Sequence, residues 1–299
     1  MTNLNTAAVV VAPPTDIRVN RTWQRLRRNF TFWAGSALVL FFVFISLFPA
    51  PIAGLFGNGN PRLCGLEFSG QAPSPGHPFG YTTLGCDLYS SVIYGAQASI
   101  GVGLLVTLGT CVVAIIFGTL AGYFGGWVDS LISRFSEIVF AVPLLLGAIV
   151  ILNSIEGRTV IALSAVLIVF AWPTSMRIMR SSVLSVRNRS FVVAATSLGL
   201  STPRILWVHV LPNTLGPILV LATLQIGAII AAEATLTYLG IGLQPPALSW
   251  GLQLSSAQNY FQASPHLLIF PALMLTLAVT GFVMLGEAVR GATKMGSAT

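Results

Sequence analysis

Of the 299 residues, 55% are hydrophobic and only 8% are charged, and mean hydropathy is +0.83, whereas about a quarter of the residues in soluble proteins carry charge. Apolar runs recur from Phe30 to Val289 and exclude a separate soluble domain, so one membrane domain is expected. The net charge of +7 then reports orientation in a bilayer before it reports nucleic-acid binding, and no nucleic-acid partner is expected.

Residues 1–29 form a basic arm. Arg27-Arg28-Asn29-Phe30 faintly resembles a twin-arginine export signal. The apolar run that follows is too long for a signal peptide, has no Ala-x-Ala site after it and precedes further spans, so it reads as an uncleaved first span. The membrane core, residues 30–290, contains predicted spans at Phe32–Phe48, Val92–Tyr123, Ile138–Leu152, Val160–Ile178, Thr214–Leu239 and Leu267–Val289. Crossing a bilayer takes roughly 17 to 25 apolar residues as a helix. Helices are expected because backbone in lipid must satisfy its own hydrogen bonds and the period-two alternation of a barrel is absent. The second run, about 30 residues or on the order of 45 Å, must tilt or project. The third is short and contains Pro143.

Basic residues set the orientation. Thirteen of the 15 lie in the arm (Arg18, Arg21, Arg25, Arg27, Arg28), the second connection (Arg134), the fourth (Arg177, Arg180, Arg187, Arg189, Arg204) and the tail (Arg290, Lys294). Only Arg62 and Arg158 fall on the other side. The positive-inside rule therefore predicts both termini in the cytoplasm, loops 49–91 and 240–266 outside, loop 181–213 inside, and a cytoplasmic tail at 291–299.

Loop 181–213 is basic and patterned. The small, apolar stretch Phe191 to Leu198 reads as a helix ended by Gly199 in a left-handed conformation. Ser201 or Thr202 can cap a second helix with Pro203 in its first turn, and Leu211-Pro212 is expected to end that helix and start the fifth span. Two uses fit: docking in a groove of another protein, or lying on the membrane surface.

Other features are weaker. Cys64 and Cys86 share the external loop; a bridge would close a ring of about 23 residues, worth on the order of 3 kcal/mol, and two free thiols remain the alternative. Cys111 reads as packing. Glu233 sits deep in an apolar run, as an interhelical anchor or a proton relay. Glu137 and Glu287, at cytoplasmic ends, are expected to be hydrated or paired with Arg134 and Arg290. Gly118-x-x-x-Gly122 reads as a packing face and Asp129 as a helix cap. His77, His209 and His266 form no metal cluster. No phosphate loop, His-Glu-x-x-His or Gly-x-Ser-x-Gly motif occurs, so neither ATP binding nor catalytic residues are expected in this chain. Secondary transporters and membrane enzymes are the rival classes.

The residues of this loop also resemble a family. Val193-Ala194-Ala195, Gly199 and Val210-Leu211-Pro212-Asn213 are similar to the signature of ABC-importer permeases, Glu-Ala-Ala, Gly and an aliphatic-Leu-Pro, with Val193 where Glu is usual. His77-Pro78-Phe79-Gly80 to Asp87, Gly122-Tyr123-Phe124-Gly125-Gly126-Trp127-Val128-Asp129, and Ala232-Glu233-Ala234-Thr235-Leu236 through Ser249-Trp250-Gly251 resemble C-type permeases of the dipeptide, oligopeptide and nickel systems. The likeness spans roughly Phe30 to Lys294. It implies an all-α, six-span, type I ABC-importer permease in the bacterial inner membrane. Within that family Val193, Ala194, Ala195, Leu198, Gly199, Leu211 and Pro212 would form the loop that couples to the ATPase. The implied partners are a second homologous permease, two ABC ATPase subunits that bind ATP and Mg, and an external solute-binding protein, all working in membrane lipid. Peptides are the expected cargo, with nickel or another small solute as alternatives. No substrate-binding residue is assigned.

Overall fold

The computed structural model describes residues 23, 24 and 26–294. Arg18, Arg21 and Arg25 of the predicted arm and residues 295–299 of the predicted tail lie outside the described residues.

Ten α-helices suffice to describe the architecture. α1 (Phe30–Leu47) starts where Asn29 Oδ1 accepts from the Thr31 amide at 2.9 Å. It is apolar all round yet buries only Gly35, Phe42 and Ile45, the pattern of a helix facing lipid. After a short α2 (Pro49–Ala53) and an irregular loop, α3 runs for 37 residues, Leu88–Phe124. It starts before the predicted Val92 because Asp87, fully buried, caps it: Oδ1 accepts from the Tyr89 amide at 3.0 Å and Oδ2 from the Ser90 hydroxyl at 3.1 Å.

The predicted third span is not one helix. α4 (Gly126–Ala141) and α5 (Leu144–Asn153) meet at an 81° bend. Pro143 has no N–H to donate and holds Val142 extended, at φ −85° and ψ 119°. Among the described residues five helices are thus long and apolar enough to cross a membrane, and six spans result if the bent pair counts as one. α6 (Val160–Arg187) continues beyond the predicted Ile178. α7 is Ser190–Ser197, and α8 runs unbroken over Thr202–Tyr238.

The continuity of α8 corrects the expectation that Leu211-Pro212 separates two helices. Residues Leu206–Val210 form a π turn, and the Leu211 amide bonds to the Leu206 carbonyl five residues back. The ladder has already slipped by one residue when Pro212, which lacks a donor, is reached. A short α9 (Trp250–Ala257) and the long α10 (His266–Lys294) follow.

α3 and α6 form the central pair. A Cβ at Gly118 would stand 2.7 Å from Met179 Cβ and 2.9 Å from the Met176 carbonyl; at Gly122 it would meet Val183 Cβ at 2.8 Å and the Arg180 carbonyl at 2.9 Å. The two glycines therefore let the helices touch backbone to backbone. The cores divide by depth: one cluster joins α1, α3, α9 and α10 near the Cys64 loop, a second joins α3, α5, α6 and α8, and a third joins α3, α6, α7 and the start of α8.

Candidate functional site

The third cluster holds the predicted coupling loop. α7 ends in a Schellman turn: the Gly199 amide bonds to the Thr196 carbonyl at 3.0 Å and the Leu200 amide to the Ala195 carbonyl at 3.2 Å. Gly199 has φ +75° with no atom within 4 Å of a Cβ built on it, so the backbone angle, not space, calls for glycine. Ser201 then precedes α8 without a side-chain cap, and Pro203 occupies its first turn.

Helical spacing divides α7 into two faces. Val192 and Ala195, 3% and 6% exposed, pack into the third cluster beside Ile205 and Val210. Phe191, Val193, Ala194 and Leu198 are exposed, Val193 by 53% and Leu198 by 79%. Ala195, which the resemblance places in the coupling loop, belongs to the chain's own core rather than to the open face. Leu211 is half-buried in the same cluster and Pro212 is exposed, so of the residues singled out in the sequence, Val193, Ala194 and Leu198 are the ones brought together on an open apolar strip.

An ionic brace joins the helices that lead into α7. The Arg180 guanidinium of α6 forks onto both carboxylate oxygens of Asp129 in the first turn of α4, the bidentate geometry that makes arginine pairs strong. Asp129 is therefore no cap, since Gly125 holds that position; its carboxylate joins two helices. Arg187 donates to the Gly122 and Tyr123 carbonyls at 3.2 and 3.0 Å, closing the last turn of α3. The end of α6, three residues before α7, is thus locked to α3 and α4. Arg134–Glu137 and Arg290–Glu287 pair on the surface at 3.1 and 3.0 Å, as expected, with little weight in stability.

The opposite end is built differently. Cys64 and Cys86 are joined through their sulfurs and their backbones pair as an antiparallel bridge. His77 lies 3.6 Å from Asp87 and packs its ring on Tyr81, whose carbonyl is 3.4 Å from His266 Nε2. Burial first, and then the nearby Asp87 carboxylate, raise the Tyr81 phenol above its ordinary range. Glu233 is fully buried: Oε1 accepts from the Thr237 hydroxyl at 3.0 Å, and that hydroxyl accepts from the Leu243 amide at 3.1 Å, which fixes the turn after α8. Among the described residues no group of three His, Cys, Asp or Glu side chains is placed to hold a metal.

Residues 114–292 match the model of the family described as binding-protein-dependent transport system inner membrane component. The chain is 36% identical over 273 residues to the dipeptide transport system permease protein DppC of Alkalihalophilus pseudofirmus, covering 90% of this chain and 87% of the relative. It is 32% identical over 290 residues to the glutathione transport system permease proteins GsiD of Escherichia coli and Shigella boydii, covering 95% of this chain and 93% of each. The chain therefore belongs to the binding-protein-dependent inner membrane components, the multi-pass permease subunits of ABC importers, and works with an ATPase and a binding protein rather than as an enzyme.

Proposed function

We propose that this chain is one of two homologous permeases of a peptide importer, and that α7 is the element through which two ATP- and Mg-binding ATPase subunits drive it. The observation that carries the reading is the divided α7 helix. One face is finished against this chain and the other leaves Val193, Ala194 and Leu198 bare. Apolar surface outside lipid calls for a protein partner. Arg189 and Arg204, both exposed nearby, supply a basic rim. When the ATPases close, α7 would move together with the braced ends of α3, α4 and α6 as one body, switching access to the pore between its two sides.

The peptide cargo is supported by the relatives, which are named for dipeptide and for glutathione transport. Orientation follows the basic residues: both termini and α7 in the cytoplasm, with the Cys64–Cys86 disulfide and α9 outside, facing the binding protein.

Two measurements test this. Cysteines introduced at Asn188 and Gln258 should differ in intact cells, with an impermeant thiol reagent labelling only Gln258→Cys; equal labelling overturns the topology. Uptake by the whole complex should need ATP and follow peptides supplied on the binding protein. Uptake restricted to nickel or another non-peptide solute overturns the cargo.

A further inference from the structure

The bend between α4 and α5 opens a cavity of about 520 Å³, within the roughly 300 to 1,000 Å³ range of small-molecule sites. Its walls include Phe140 and Val142 beside the break and Phe170 of α6, and its two polar side chains are Thr174 of α6 and Gln225 of α8. Gln225 lies near the middle of the predicted fifth span. Irregular backbone at such depth is tolerated where it lines a cavity, and interrupted helices near the midplane are where transporters hold solute.

Neighbouring hydroxyls fix the Gln225 carboxamide. Thr110 Oγ1 donates its only proton to the Thr107 carbonyl at 2.9 Å, so it can only accept from Gln225, and the atom facing it at 3.2 Å is Nε2. The Ser175 hydroxyl donates to Oε1 at 3.1 Å. Ser175 and Thr110 are both fully buried, so the orientation is held from behind by two different helices. A primary amide has two N–H donors and two acceptor lone pairs. One of each is engaged, and one of each remains on a side chain that borders the cavity. The remaining lone pair can accept from the N–H of a peptide unit, and the remaining N–H can donate to a backbone carbonyl.

We propose that Gln225 reads the amide of the solute in transit, making the α4–α5 cavity a site selective for the peptide bond itself, with Phe140 and Phe170 bounding the space for side chains. The inference rests on the peptide reading above and adds the residue that enforces it inside the membrane. Such a site tolerates varied side chains, because it contacts what all peptides share.

The test compares alanyl-alanine with alanyl-lactate, whose ester lacks the N–H that Gln225 Oε1 would accept. Uptake is measured in vesicles containing the complete transporter, with the binding protein at matched, saturating occupancy by each solute. The parent should favour the amide by about 3- to 10-fold, the value of one neutral hydrogen bond. Gln225→Leu should bring that ratio to about one. Because Leu also removes partners of Ser175 and Thr110, a purely structural lesion would slow both solutes equally and leave the ratio unchanged. Gln225→Met, which matches the length of Gln without the amide, gives the same reading should the Leu variant fail to assemble. No preference in the parent, or an undiminished preference in the variants that transport, overturns the inference. A parent that imports neither compound but imports a non-peptide solute overturns the peptide reading instead.

Discussion

Two helices of eight residues, α7 and α9, lie at opposite ends of the molecule and meet opposite fates. α9 is completed by its own chain. Trp250, 1% exposed, donates its indole N–H to the Val92 carbonyl at 3.0 Å and its amide to Ser99 Oγ at 3.3 Å, Gln253 donates to the Ser91 carbonyl at 2.6 Å, and a Cβ at Gly251 would strike the α8 backbone at Ala234. α7 has no comparable anchor: a Schellman turn ends it, two side chains hold it, and its other apolar side chains remain uncovered. A helix this short has little stability of its own, so each is ordered by what it packs against. The contrast teaches that α9 is a structural plug, whereas α7 is half of an interface.

The largest effect should come from breaking the completed helix. Trp250→Ala removes a buried aromatic and its hydrogen bonds, costing about 3 to 5 kcal/mol, and should appear as a marked loss of folded protein and a lower Tm in detergent. Next comes the buried face of α7. Ala195→Glu places a charge in the third cluster, at a cost of several kcal/mol, and should lower Tm as well as uptake. By contrast Ala194→Glu, one residue away on the open face, should leave stability within about 0.5 kcal/mol of the parent, with Tm nearly unchanged, while abolishing uptake and ATPase recovery on purification. Equal Tm losses for the two alanine variants would break the distinction between the faces.

Smaller effects sharpen it. Asp129→Asn leaves the Arg180 guanidinium short of its charged partner, worth about 1 to 3 kcal/mol. Because the brace holds the end of α6 that leads into α7, solute imported per ATP hydrolysed should fall by more than ATPase recovery does. An unchanged ratio would show that the brace only stabilises. Val193→Glu is the mildest, since an exposed carboxylate can point to solvent beside Arg189; uptake close to the parent's is expected, and complete loss would show that the partner groove requires an apolar residue there.

The long helices were legible because a bilayer imposes one simple demand, an unbroken apolar run, and the basic residues mark its ends. Gly118 and Gly122 were legible as packing, and Gly199 as a helix stop, since each depends on local spacing. What escaped depends on partners distant in sequence. Nothing local says that Asp129 meets Arg180, or that Ala195 rather than Ala194 turns inward, because both alanines lie in a stretch that is apolar on either side. Pro143 marks the break locally, but a proline alone does not set the size of the bend, 81°. Pro212 misled in the other direction, since a π turn can absorb a proline that normally ends a helix. Gln225 offered a signal that was passed over, an amide in the middle of an apolar run, where an uncompensated polar group costs several kcal/mol.

The claim that α7 is a docking element is tested most directly by a photoreactive side chain in place of Leu198, with a second at Gln258 just after α9, each in the assembled transporter in native membranes. The account predicts a strong adduct to the ATPase subunit from position 198 and none from position 258. No ATPase adduct from position 198 in a complex that still transports, or equal adducts from both positions, would contradict it.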